Sequence, residues 1–110
     1  MENYNRIEQT DDEICYYLDH DLHRLDGPAV INNDGDKFWY QNGEIHRVDE
    51  PAVELGDGDK IWYKNGLRHR TVGAAVERTN GYKEWWFEGD FIKCNSQEEF
   101  ERYLKLKLFW

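Results

Sequence analysis

The chain is poor in cysteine, with only Cys15 and Cys94, far apart and outside any paired-cysteine spacing. A disulfide is therefore not expected, and two free thiols in a reducing compartment are. No apolar run approaches the ~20 residues of a membrane span, and the opening MENYNRIEQTDDE lacks the hydrophobic stretch of a signal peptide. The expectation is a cytoplasmic protein with no membrane partner. Basic residues are scarce at first: residues 1–59 hold 4 Lys or Arg against 16 Asp or Glu, whereas residues 60–110 hold 10 against 7. An acidic field of this size repels phosphate backbones and lipid headgroups, so direct nucleic-acid binding is not expected, and a basic protein surface is the partner that it attracts. The same acidity also serves solubility and blunts sheet edges.

Aromatic residues are abundant, at 15% with five Trp and seven Tyr, which suits a sheet that packs large rings. At 110 residues the chain has room for one modest core, so residues 1–110 are expected to form a single domain.

A 23-residue period organises the sequence. KIWYKNG (60–66) repeats KFWYQNG (37–43). His23-Arg24, His46-Arg47 and His69-Arg70 keep the step, as do Val30, Val53 and Val76. The spacing predicts a degenerate unit over 4–26, close copies over 27–49 and 50–72, and a looser copy over 73–95. Asp34-Gly35, Asp57-Gly58 and Asn80-Gly81 mark one tight turn per unit, and Asn42-Gly43 and Asn65-Gly66 mark a second. The fold class expected is mostly β: an array of about four 23-residue antiparallel β-hairpin repeats closed by a C-terminal helix over about 96–108. Asn95 or Ser96 caps that helix, Glu98 and Glu99 sit in its first turn, and Phe100, Tyr103, Leu104 and Leu108 form its apolar stripe.

If both turns are two-residue loops, Val30 faces Trp39 and Trp39 faces His46, with Val53, Trp62 and His69, then Val76, Trp85 and Ile92, then Ile7, Tyr16 and His23 equivalent. This row is expected to pack inside or under the helix. A second row, drifting from Phe38 and Ile61 to Glu84, is expected to meet solvent or a partner. A third, Ala29, Tyr40, Ile45, Ala52, Tyr63, Arg68, Ala75, Trp86 and Phe91, stays apolar on the outer face. From it Tyr40, Ile45, Tyr63, Trp86 and Phe91 are the candidate binding stripe, rimmed by the acidic turn residues Asp34, Asp36, Asp57 and Asp59.

Catalytic chemistry finds little support. Cys15, Cys94 and Ser96 lack a local signature tying them to a base, and the turn-tip carboxylates are solvated turn formers. No catalytic residue, metal site or cofactor is expected. His23, His46 and His69 lie at least two strands apart, about 10 Å or more, and cannot share one ion. Each is expected instead to stack on its opposed tryptophan and to bond a nearby carboxylate, Asp26 or Asp49, with Arg24 and Arg47 bracing the same turns.

His23-Arg24-Leu25-Asp26-Gly27-Pro28-Ala29 together with Lys37-Phe38-Trp39-Tyr40-Gln41-Asn42-Gly43 resembles MORN-like repeats, specifically those encoded in many bacteriophage genomes. The resemblance covers about residues 14–93 and departs from the motif at Glu50, Val72 and Ala74. It implies a small non-enzymatic accessory protein of the host cytoplasm that acts on host machinery. Joined to the acidic turns, it suggests an inhibitor of a defence or nucleic-acid enzyme. The alternative is a small-ligand binder in which Arg24, Arg47 or Arg70 and the rings grip a nucleotide-like molecule. Self-association through an uncovered sheet edge is also considered.

Overall fold

The computed structural model describes residues 1–108. It is mostly antiparallel β-sheet with one C-terminal helix. The strands are β1 (Arg6–Gln9), β2 (Glu13–Leu18), β3 (Asp21–Leu22), β4 (Val30–Asn32), β5 (Lys37–Phe38), β6 (Tyr40–Gln41) and β7 (Glu44–Ile45). They continue as β8 (Val53–Glu54), β9 (Lys60–Ile61), β10 (Tyr63–Lys64), β11 (Leu67–Arg68), β12 (Val76–Glu77), β13 (Lys83–Phe87) and β14 (Asp90–Ile92), followed by α1 (Gln97–Leu108). One sheet runs β1-β2-β4-β5-β8-β9-β12-β13-β14 with β3 on β2, while β6-β7 and β10-β11 form separate two-stranded ladders. The strands follow sequence order across a slab of 45 × 32 × 17 Å.

The separate ladders arise because each strand changes partner at one aromatic residue. The Trp39 N–H donates to the Ala52 carbonyl in the next segment, whereas its own carbonyl accepts from the His46 N–H of its own hairpin. Trp62 does the same between Ala75 and His69, and Tyr16 between Ala29 and His23.

The second turn of each segment has the expected register. Tyr40 faces Ile45, Tyr63 faces Arg68 and Trp85 faces Ile92. Asn42 and Gly43 both carry positive φ (52° and 81°), as a two-residue type I′ loop requires. The first turn differs by one residue except in the earliest hairpin, where Ile7 does face Tyr16. Val30 faces Phe38 rather than Trp39, Val53 faces Ile61, and Val76 faces Glu84. The loop holds three residues, because Asn32 pairs with Asp36 while the Gly35 N–H closes a turn onto the Asn32 carbonyl. Gly35 at φ 83° then forms a bulge. The Asn32 side chain braces this loop by accepting from both the Asp34 and Asp36 N–H groups, and the same three-residue loop forms with Leu55 and Arg78 in its place.

That single residue moves the core. Directly opposed residues share a face, so Cys15, Val30, Phe38, Val53, Ile61, Val76 and Glu84 form one continuous row. Val53, Ile61 and Val76 are buried at its centre, with Phe38, Ile45, Leu55, Tyr63 and Trp86 packed against them. The row expected to drift into solvent is therefore core at Phe38 and Ile61. The next row reads Lys37, Glu54, Lys60, Glu77, Lys83, opposite charges facing each other strand by strand, an arrangement worth a few tenths of a kcal/mol, up to about 1, per pair.

The opposite face carries the second core. Trp85, Ile92 and Ala74 are buried beneath Phe100 of α1, joined by Phe87, Cys94, Tyr103 and Leu104. The expected stripe of α1 is thus seated on the sheet, the Leu108 side chain lying outside the described residues. Ser96 caps the helix, its Oγ accepting from the Glu99 N–H, while the Asn95 N–H donates back to the Glu99 carboxylate.

Candidate functional site: two cavities floored by tryptophan

The polar side chains marked out by the sequence have internal partners. The imidazoles do not use Asp26 or Asp49. Asn42 N–H donates to His23 Nδ1 at 2.9 Å, Asn65 N–H to His46 Nδ1 at 3.0 Å, and Glu88 N–H to His69 Nδ1 at 2.9 Å. Accepting at Nδ1 assigns the proton of each neutral ring to Nε2. Burial holds the His69 imidazole below its ordinary value, Lys64 adding to the effect and Glu88 opposing it. Its aromatic neighbour is Phe87, at 5.0 Å between ring centres, in place of the opposed tryptophan.

Two of the four expected rim carboxylates are used in the same way. Asp36 Oδ1 accepts from the Gly56 N–H at 2.7 Å, and Asp59 Oδ1 from the Thr79 N–H at 2.8 Å, with Arg78 on its other oxygen. These donors hold both carboxyls below the usual range. Asp34 and Asp57 stay exposed at the loop tips. Asp57 accepts from the Asp59 N–H.

Arg24 and Arg47 brace the connecting loops, Arg47 through Glu50 and Glu54 rather than Asp49, and Arg70 does the same one step later. Arg24, Arg47 and Arg70 donate to the carbonyls of Pro28, Pro51 and Ala74. They lie 4.0, 3.9 and 3.7 Å over the rings of Tyr16, Trp39 and Trp62. Arg24 pairs with Asp26, Arg47 with Glu50 and Glu54, and Arg70 with Glu77. A phosphate would have to displace these carboxylates. The departure Glu50 is explained here, since it supplies a carboxylate 2.7 Å from Arg47.

The candidate stripe divides. Ile45, Tyr63 and Trp86 pack on the Val53–Ile61–Val76 core, and Ala29, Ala52 and Ala75 are fully buried. Tyr40 is half-buried, and Phe91 is the exposed member, tilted against Trp86 at 5.4 Å. Cys15 and Cys94 are free thiols, both pushed up by burial.

Sequence reasoning missed the other face. A cavity of about 470 Å3 lies between the loops at Val48 and Val72, with Trp62 and His69 in its lining. A second, of about 550 Å3, lies one period earlier between Leu25 and Val48, with Trp39 and His46. Among charged neighbours such as Asp49 and Lys64, their rims carry exposed apolar side chains: Leu25 at 40%, Val48 at 66% and Val72 at 80%. Large exposed apolar residues at neighbouring loops were the readable signal. Trp62 Nε1 is, among the described residues, a buried side-chain nitrogen with no hydrogen-bond partner. Its counterpart Trp85 Nε1 donates to Gln97 at 2.9 Å.

No helix among the described residues is long and apolar enough to cross a membrane, and among them no three His, Cys, Asp or Glu side chains are grouped as a metal would need. No family model, no curated protein and no solved structure matches the chain.

Proposed function

We infer that this protein is a non-enzymatic protein-interaction module, built as four MORN-like 23-residue units and used as a small bacteriophage accessory protein. Recurrence of the same side-chain clamp at His23, His46 and His69 supports the array reading. The observation that carries the functional reading is a division of labour. The histidines, arginines and two of the turn carboxylates are committed to holding the fold, while Leu25, Val48 and Val72 stand exposed beside two cavities that each include a tryptophan in their lining. Exposed apolar groups rimming concave sites serve binding better than chemistry.

The partner is a host protein with a basic surface, drawn by the acidic residues that dominate positions 1–59. A defence or nucleic-acid enzyme is the fitting class, its phosphate-binding surface meeting carboxylates instead. Tyr40 and Phe91 remain the accessible members of the aromatic stripe on the other face and extend the contact surface. The test is capture from bacterial lysate by the immobilised protein at about 50 mM and about 500 mM salt, compared with the double variant Val48→Glu, Val72→Glu. A specific basic protein retained at low salt and lost from the variant is expected. Identical captures by both proteins, or none, would overturn the reading.

A further inference from the structure

At both ends of the sheet the tryptophan-side face is covered by the chain's own terminal segments. At the start, the Glu2 carbonyl accepts from His23 Nε2 at 2.8 Å, Asn3 Oδ1 accepts from the Leu25 N–H at 3.0 Å, and the Tyr4 ring meets Tyr16 edge-on at 4.7 Å. His23 is thereby fully buried. At the other end Gln97 Oε1 accepts from both Trp85 Nε1 and the Gly73 N–H, Gln97 Nε2 donates to the Thr71 carbonyl, and Phe100 fills the space over Trp85 and Ile92. Two unrelated segments, one extended and one helical, solve the same problem alike. Each brings a carboxamide to the connecting loop and an aromatic ring to the floor.

Tyr16 and Trp85 are separated by three 23-residue steps, and the two intermediate positions are Trp39 and Trp62. Each of these lines one of the two cavities. No segment of the described chain covers them as the termini cover the ends. At Trp62 the indole nitrogen that Gln97 would satisfy one step later is buried without a partner, and a buried donor left unpaired is costly. Arg70 occupies the ring face at 3.7 Å, and a cation there leaves the in-plane N–H direction for another group. His69 lines the same cavity and carries its proton on Nε2, the nitrogen that in His23 donates to a backbone carbonyl.

We propose that the cavity over Trp62 binds a peptide segment of a partner protein that presents an asparagine or glutamine side chain beside an aromatic one. The carboxamide oxygen accepts from Trp62 Nε1, the peptide carbonyl accepts from His69 Nε2, and the aromatic ring packs between Val48 and Val72. The proposal rests on the interaction-module reading and specifies its ligand.

The chain itself supplies the probe: the capped pentapeptide Glu-Asn-Tyr-Asn-Arg, the sequence of residues 2–6. The peptide is titrated into the full-length protein while the indole N–H resonances are followed, that of Trp62 being assigned by its loss in Trp62→Phe. The expected result is a saturable shift of the Trp62 resonance with a Kd of about 1 mM or below. Alanine at both the Asn and Tyr of the peptide weakens binding about tenfold or more, as does Val48→Glu in the protein, a change on an exposed side chain that leaves the Trp85 and Trp86 indole resonances in place. A Trp62 resonance unmoved at about 10 mM peptide, an equal shift with the alanine peptide, or indifference to Val48→Glu overturns the proposal. If Val48→Glu with Val72→Glu abolishes capture of a lysate partner while the peptide leaves Trp62 unmoved, the module reading stands and this one falls.

Discussion

His69 fastens one segment of the sheet to the next. Its Nδ1 accepts a backbone N–H, so the protonated ring cannot keep the bond. Because its folded pKa lies below the unfolded value of about 6.5, the unfolded state takes up the proton more readily. The stability that His69 contributes is complete above about pH 6.5 and is lost as pH falls through the lower folded value. Urea midpoints should therefore drop between pH 7.5 and pH 5.5, and the drop should shrink in His69→Gln, whose amide oxygen still accepts; an unchanged drop would refute the assignment. Asp36 and Asp59 act in a separate window. Their carboxyls are depressed by N–H donors, so their contribution holds above about pH 3.9 and fails as pH falls through their folded values.

Gly56 is another residue whose role is invisible in isolation. A Cβ there would run into the backbone carbonyl of Asp34, while its N–H serves Asp36. Gly56→Ala should cost about 2 kcal/mol or more in denaturant unfolding, whereas Val48→Glu on an exposed loop should change stability by less than about 0.5 kcal/mol.

At the level of elements, the Asn-Gly hairpins were readable because that dipeptide at positive φ admits few loop geometries. The first turns were not, since Asp-Gly fits both a two-residue loop and a bulged three-residue one. The three-residue loop forms alike after Asn32, Leu55 and Arg78, so no side chain outside the dipeptide marks the choice, and the extra residue carried Val30, Val53 and Val76 to the other face. The helix was legible from its cap and stripe, but the contacts of Gln97 with Trp85, Gly73 and Thr71 lie 12 to 26 residues back and leave no local trace. Phe100 is fully buried in that seat. Phe100→Ala should cost about 3–5 kcal/mol and expose Trp85, read as a red shift of its fluorescence. A loss below about 1 kcal/mol would mean that α1 is an accessory rather than a lid.

Across the whole molecule the strands lie in chain order, so the main ladders connect segments close in sequence. If the proposed array of 23-residue units is modular, removing residues 50–72 joins His46-Arg47 to Gly73-Ala74 at equivalent positions and brings Glu88 N–H within the sequence distance of His46 that it now keeps from His69. The shortened chain should remain a cooperatively unfolding β protein with a lower midpoint. A chain without cooperative unfolding would show that the sheet folds only as one indivisible body. The candidate cavities were hidden in the sequence for a related reason. They form between loops one period apart, and of their rim residues Leu25 and Val48 keep the 23-residue step while Val72 falls one position past it.

The side-chain clamps also have a direction. At His23, His46, His69, Asp36 and Asp59 the acceptor precedes its N–H donor by 19 or 20 residues. A chain leaving the ribosome thus presents each new hairpin to side-chain receptors already made, whereas the Trp39 and Trp62 backbone N–H groups wait for the Ala52 and Ala75 carbonyls of the segment that follows. Growth from the N-terminus is then assembly by successive closure. Nascent chains stalled with residues 1–72 outside the ribosome should already protect the Asn42 and Asn65 amides from exchange, and protection that appears only after release would show that the clamps close together.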